Sequence, residues 1–578
     1  MAWWLLLLAC APPDEAADGR RGPEIGVPTK STTSEVTPTV LPTLTVPEPL
    51  VTRVDLPDMV VPELLATPPA SAFVGTVEVS LAASDPEASI WYTLDGTAPQ
   101  VGGSTPYTGP FVLDRSTPVR AVAEVFGQPL GIAPTYLALE PSLEGFASDV
   151  PLVVLWTLDT APATKSDTYT RFTLTTFEPT PGLPAGLPGE STLSVLSGLR
   201  VRGSSSAGFP KRPYRLETWD PLLPGGADLD VPLLGMAPDA DWVLLSPLVF
   251  DRALMRNALV YRLSNLIGRY APDTRFAEVF VAERGEAVGL DDYQGVYVVV
   301  ERIERGTDRV AITRLEPTDT VMPELSGGYL FKEDRLGTGD RGFTAGTAGG
   351  RLAFQQPFVA VEPNETELAP GQLDYLVTEL DELGEALVSP GFVHPVTGRP
   401  YDQIVDVDSF IDHHILNVFA KNPDAFRLSG YFHKDREALL QSGPVWDFDR
   451  TMGCADDTRA ADPQWWDASN ETSDCTYVFE HGFWLGLFAD PAFTDRYWAR
   501  WEELLGAELS LDAVLAEIDA MEAELADAGP RNAQAWPDYP PRGGSFAAEV
   551  ELLRDWVRVR HAWAEGCLAL PDPSRCEG

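Results

Sequence analysis

Period-two alternation of apolar and polar positions marks the chain from about residue 69 to 140. VGTVEVSLAA (74–83) and TPVRAVAEVFG (117–127) alternate, and Asp95–Gly96 in IWYTLDGTAP supplies a turn between such runs. These short segments predict a run of short strands with turns between them. Further strands are predicted in PLVVLWTLDT (151–160) and YTRFTLTTF (169–177). LSGLRVRG (196–203) and RPYRLETWD (212–220) read as two more, joined by the polar Gly203–Lys211 loop, and Val296–Val300 is continuous enough for a buried strand. A helical period then takes over. Phe250–Ile267 sets Leu254, Ala258, Tyr261, Leu263 and Leu266 largely on one side, with Asp251 as its cap. Leu373–Leu387, Asp408–Ala420, Asp512–Ala528 and Phe546–Ala564 repeat the pattern with core-like spacing. Between the third and fourth helices, Tyr431–His433 and a return from Leu439–Leu440 read as a β-hairpin turning at Asp435–Glu437. Two periods in one chain predict an α+β domain, here over 149–570.

Residues 11–65 follow neither period. PTKSTTSEVTPTVLPTLTVPEPL (28–50) is rich in Pro and Thr and reads as an extended, disordered tether. Ahead of it, MAWWLLLLAC (1–10) resembles a bacterial lipoprotein signal ending at a lipidated Cys10, although no Lys or Arg precedes the apolar run. The run is shorter than the roughly 20 residues a spanning helix needs. The expectation is an exported lipoprotein, at the outer membrane or surface of a bacterium, that meets the membrane only through its lipid.

Charge and cysteines narrow the partners. With 86 acidic against 42 basic residues the net charge is −44, which argues against nucleic acid and against binding an anionic membrane by charge. Once Cys10 is assigned to lipid, Cys454/Cys475 and Cys567/Cys576 form two local pairs, plausible as disulfides in an oxidising compartment. There is no CxxC, and the six histidines lack HExxH spacing, which disfavours a zinc site.

The chemistry concentrates in KNPDAFRLSGYFHKDREALLQSGPVWDFDRTMG (421–453). Pro423 stops the preceding helix just before Asp424, while Asp447 and Asp449 follow the returning strand. A helix end, a hairpin and a strand end would bring these carboxylates towards one cleft, an arrangement suited to phosphoryl transfer. The residues alone leave a second reading open, in which Asp424 caps a turn and Asp447 and Asp449 are solvated loop acids.

GPVWDFDRTMG, with the preceding NPDAF…GYFHK, resembles the CotH family of atypical, secreted protein kinases. LRVRGSSSAGFPKRPYRLE (199–217), DWVLLSPLVFDRALMRNAL (241–259), YQGVYVVVERI (293–303) and GGYLFKED (327–334) match in order upstream. The resemblance implies a two-lobed, atypical kinase-like domain that takes ATP with Mg²⁺ or Mn²⁺ and phosphorylates Ser or Thr of secreted or surface proteins. It implies that Asp424 meets the acceptor hydroxyl, Asp447 holds metal with Asp449 as a second contact, and Lys211 steadies the phosphates. Ser204 in the serine-glycine loop, Arg256 and Asn257 would support the nucleotide, and Glu301 would mark the interlobe hinge. WDFD stands where ordinary kinases have DFG, and no GxGxxG precedes Lys211. IWYTLDGTAP…YTGPFVL…VRAVA resembles the chitobiase/β-hexosaminidase C-terminal module, which implies a small β-sandwich over 66–142 with a spacer or adhesive role. Trp91 or Tyr92 would be available to stack on carbohydrate, with one of them facing the core. The rival expectations are a catalytically silent surface scaffold and a calcium- or carbohydrate-binding adhesin.

Overall fold

The structure, a computed structural model, describes residues 61–576 except 160, 224–225, 284, 286, 338–339, 341, 365 and 469–477. Cys10, the signal-like run, the tether up to residue 60 and Cys475 lie outside the described residues. No helix among the described residues is long and apolar enough to cross a membrane.

The alternating N-terminal runs form three small sheets. The first strand, Leu64–Thr67, starts within the last two residues expected of the tether and pairs antiparallel with Val77–Ala83. Alternation does the sorting, as Ala121, Ala123 and Val125 enter the sandwich core while Glu124 faces solvent. Tyr92 stacks on Phe111 with centroids 5.1 Å apart and packs against that core, leaving Trp91 half-buried on the opposite face.

Seven strands then close a barrel: β1 (Leu152–Thr157), β2 (Thr170–Phe177), β3 (Leu193–Val201), β4 (Tyr214–Trp219), β5 (Asp241–Leu245), β6 (Thr274–Ala282) and β7 (Tyr293–Glu301), in the order β1-β2-β3-β4-β5-β7-β6. The neighbours are antiparallel except β1 and β6, whose parallel pairing sets Leu152 against Glu278 and closes the ring. Leu155, Phe172, Leu199, Trp242 and Val279 fill the inside. Closure leaves no strand edge exposed. The class is α+β, as the mixed periods imply. Its strand-rich part is a closed barrel, which the two-lobed expectation did not contain.

The sandwich is packed into this barrel. Leu152 and Val154 point outward from β1 and share one core with Phe177 and Phe280 of the barrel wall and with Ala72, Leu137 and Leu139 of the sandwich. Gly189–Glu190, from the loop before β3, adds a strand to a sandwich sheet by pairing with Ala72 and Ser71.

The described residues hold eight α-helices, the first between β5 and β6 and the other seven after the barrel: α1 (Arg256–Leu266), α2 (Pro370–Leu387), α3 (Val407–Ala420), α4 (Phe483–Leu487), α5 (Pro491–Leu505), α6 (Leu511–Glu524), α7 (Ala528–Ala535) and α8 (Phe546–Leu568). They pack around a five-stranded sheet of β8 (Tyr329–Glu333), β9 (Gly342–Phe343), β10 (Phe358–Glu362), β11 (Gly430–Lys434) and β12 (Gln441–Ser442), ordered β9-β10-β8-β11-β12. The expected hairpin is β11 with β12, in register Phe432 to Ser442, and its return starts after Leu440. β8 covers the other edge of β11, placing Lys332 opposite Tyr431. Helix α1 begins later than its apolar spacing suggests, because Leu254 takes a left-handed φ of 67°. Asp251 still serves its start by accepting the Arg256 N–H at 2.8 Å. Beyond α8, Cys567 and Cys576 form a disulfide. Cys454 is a buried thiol whose Sγ lies 3.7 Å from the Asp457 carbonyl oxygen.

Candidate active site

Helix α3 ends with Lys421 in the left-handed conformation, and Pro423 prevents any continuation. Asn422 then ties two segments together. Its Oδ1 accepts the Asp424 N–H at 3.0 Å, and its Nδ2 donates to the Asp447 carbonyl oxygen at 3.4 Å. Asp447 itself has a φ of 70°, a costly conformation for a non-glycine residue that persists where the surroundings hold it. Helix α1 supplies that hold. The Tyr261 hydroxyl accepts the Asp447 N–H at 3.3 Å, and Asn257 Oδ1 accepts the Phe448 N–H at 2.7 Å. Trp446 stacks on Tyr261 at 5.7 Å, and the Arg202 guanidinium lies 5.4 Å from the centre of the Trp446 ring.

The two later carboxylates are under-neutralised. Asp447 reaches solvent, yet protein atoms crowd it on its other sides, and this desolvation pushes its carboxyl up to about 6. Asp424 and Asp334 add to the rise, while Arg202 and Arg450 oppose it. Asp449 is pushed well above the usual carboxylate range, first by burial and then by Asp447. Among the described residues neither Asp447 nor Asp449 makes an ion pair. Mutually repelling oxygen donors with no cation in direct ion-pair contact among the described residues, one of them open to solvent, fit a hard divalent cation such as Mg²⁺ or Mn²⁺. Asp424 differs. Its Oδ1 is held by Arg427 at 2.8 Å and approached by Arg459 at 3.6 Å, whereas its Oδ2 makes no hydrogen bond among the described residues.

Several sequence-based roles change. Lys211 is fully buried, donating to Pro247 O at 3.2 Å, to Asn532 Oδ1 at 2.9 Å and to Val296 O. It joins α7 to β7 and has no donor left for a phosphate. The junction is tight: Gly295 has a φ of +79°, and a Cβ there would lie 2.3 Å from Asn532 Oδ1. Arg256 is likewise fully buried, pairing with Asp251 at 2.7 Å and donating to Thr451 O at 3.0 Å and Met452 O at 3.3 Å. Arg256 and Asn257 therefore shape the turn that carries Asp447 and Asp449. Glu301 turns away to accept the Tyr270 hydroxyl at 3.2 Å and the Asp273 N–H at 2.9 Å. Ser204 is exposed at the tip of its loop, where Phe209 packs on Phe250 at 5.8 Å beneath the Arg450 guanidinium.

Residues without a predicted role occupy the cleft instead. Arg202 ends the LRVRG strand with no ion pair among the described residues, and Lys332, in GGYLFKED, pairs with Asp334 at 2.6 Å over the Tyr431 ring. Both lie in motifs visible in the sequence. Which of several basic residues faces the acids depends on strand register, and that was not visible.

A second acidic group, Asp239, Asp241 and Glu304, has carboxylate oxygens within reach of one ion. Arg215 and Arg302 pair with Asp241 at 3.0 and 3.1 Å, Arg309 pairs with Asp239 at 3.2 Å, and Glu304 takes Arg302 at 3.1 Å together with Arg309. Its charge is already matched.

A family model described as CotH kinase protein matches residues 199–564, more than half of the chain. One described as chitobiase/beta-hexosaminidase C-terminal domain matches 68–129. No curated protein matches. Among solved structures, a quinonprotein alcohol dehydrogenase-like protein from Bacteroides thetaiotaomicron is similar at 8% identity and a TM-score of 0.11, over 32% of this chain and 66% of that one. That likeness carries no argument about fold.

Proposed function

The chain belongs to the CotH kinase protein family, and from that premise we propose that it transfers the γ-phosphate of ATP to Ser or Thr of exported or surface proteins. The observation that carries the reading is the set of three neighbouring carboxylates, Asp424, Asp447 and Asp449, held by Asn422 and α1, with the last two making no ion pair among the described residues. Asp447 and Asp449 would hold Mg²⁺ or Mn²⁺, which supplies charge neutralisation on the phosphates. Asp424 is anchored through Oδ1, so its Oδ2 is the atom left to accept the proton of an incoming hydroxyl. Arg202, one residue before the Gly203–Ser206 loop, takes the phosphate-facing role that Lys211 is too deeply buried to fill. A lipid on Cys10 would hold the enzyme at a membrane of the envelope, with its acceptors among other exported proteins.

The test is calorimetric titration of the full chain with ATP, with and without Mn²⁺, alongside phosphate transfer to a Ser/Thr acceptor protein. Metal-dependent binding is expected, and Asp424→Asn should lower transfer by ~10³-fold while leaving binding within ~2-fold. No nucleotide binding by the wild type with either metal would sink the kinase reading and favour a silent surface scaffold.

A further inference from the structure

Arg450 directly follows Asp449, so the nearest arrangement for its guanidinium would be an ion pair with one of the two acids beside it. The structure places it elsewhere. Its Nη1 lies 3.3 Å from Asp457 Oδ2, and its Cζ lies 3.9 Å from the centre of the Phe250 ring. Asp457 engages Arg459 at the same time. Arg459 donates to it from Nη2 at 2.7 Å, from Nε at 3.0 Å and from the backbone N–H at 3.1 Å. The Asp457 side chain is only 8% exposed, and these donors hold its carboxyl below the usual carboxylate range against the opposing pull of burial. One buried anion thus grips two arginines. One of them is a neighbour of Asp449, and the other lies 3.6 Å from Asp424.

We propose that Asp457 is a positioning residue that keeps Arg450 off the Asp447/Asp449 pair, leaving those carboxylates free for a divalent cation. The proposal rests on the metal reading given above. Without Asp457, Arg450 keeps only its contact with the Phe250 ring, and Asp449 is its chain neighbour with Asp447 three residues back. A guanidinium seated there would occupy the oxygens that a hard cation needs.

The experiment measures Mn²⁺ binding to the full chain by electron paramagnetic resonance, without nucleotide, for wild type, Asp457→Asn, Arg450→Gln and the double variant. Asp457→Asn is expected to weaken Mn²⁺ binding by ~10-fold, Arg450→Gln alone to change it by less than ~2-fold, and Arg450→Gln in the Asp457→Asn background to recover most of the loss. That non-additivity separates sequestration from a plain long-range charge effect, which would make Arg450→Gln equally helpful in both backgrounds and would overturn the proposal. Wild-type Mn²⁺ affinity in Asp457→Asn would also overturn it. If Asp457→Asn is recovered unfolded, the double variant carries the test, and Mn²⁺ binding more than ~10-fold below wild type there counts against it. A wild type that binds no Mn²⁺ fails the metal reading itself. A wild type that binds while Asp457→Asn binds equally fails this proposal alone.

Discussion

Two acidic clusters in this molecule contain the same functional group and end in opposite states. Asp239, Asp241 and Glu304 sit against Arg215, Arg302 and Arg309, one cation for each anion. Even so, burial pushes the Glu304 carboxyl up to about 8. Asp447 and Asp449 have no ion pair among the described residues, and the nearest arginine on their own segment is drawn towards Asp457. The first cluster is a clamp. It joins β4 and β5 to the segment after β7, and Arg309 also lies over the Trp242 ring at 5.4 Å. Spacing alone makes the clamp the better metal candidate, since its oxygens already converge. Charge balance reverses that ranking, because a cation gains little where arginines already neutralise the acids. Proximity of carboxylates is a weak sign of a metal site until their counter-ions are counted.

The sharpest way to break this comparison is to remove one acid from each cluster. Asp447→Asn should weaken Mn²⁺ binding by ~100-fold or more. Asp241→Asn should leave Mn²⁺ binding within ~2-fold yet lower the unfolding free energy by about 2 kcal/mol, because Arg215 and Arg302 lose a partner. Titration and denaturant unfolding of both variants decide it, and an Mn²⁺ loss in Asp241→Asn would reverse the assignment.

Lys211 extends the same logic to a cation. Lys211→Met should leave Pro247 O, Val296 O and Asn532 Oδ1 without their donor, at roughly 3 kcal/mol of stability. ATP affinity of the folded fraction should stay within ~2-fold of wild type, as the buried amine has all three donors engaged by the protein. Selective loss of ATP binding with unchanged stability would return Lys211 to the site.

The smallest effect lies in pH. The Asp447 carboxyl is raised to about 6 from an ordinary value of 3.8, so the native state holds a proton that the unfolded chain releases earlier. Between these values the unfolded state binds fewer protons, and the stability of the metal-free chain falls as pH rises through that window. Asp447→Asn should flatten that slope and raise the melting temperature at neutral pH by about 1–2 °C. Mn²⁺ binding runs the other way, strengthening as pH rises through about 6 with a limiting slope of ~10-fold per unit. An unchanged melting profile in Asp447→Asn would count against the strained, desolvated carboxylate.

Much of the local structure was legible in the chain. Leu376, Leu380, Leu383 and Leu387 predicted α2, Pro423 marked the end of α3, and the alternation of Ala121, Ala123 and Val125 predicted a sandwich strand. These follow from side-chain periodicity and backbone sterics, which act over a few residues and are written in the order of the sequence. The grouping of Asp424 with Asp447 and Asp449 was also legible, because a helix end and a hairpin of known length limit where their ends can lie. Tertiary structure alone decided the rest. The β1–β6 pairing that closes the barrel joins segments whose alternation carries no mark of a mutual partner. The burial of Lys211 and Arg256 depends on where α7 and the 451–453 turn fall, and the freedom of Asp447 depends on Asp457 holding Arg450. Sequence determines which charges the chain contains. Which of them cancel is set by distances that exist only after folding, since Coulombic and hydrogen-bonding energies depend on separation in space and on local desolvation, not on separation along the chain.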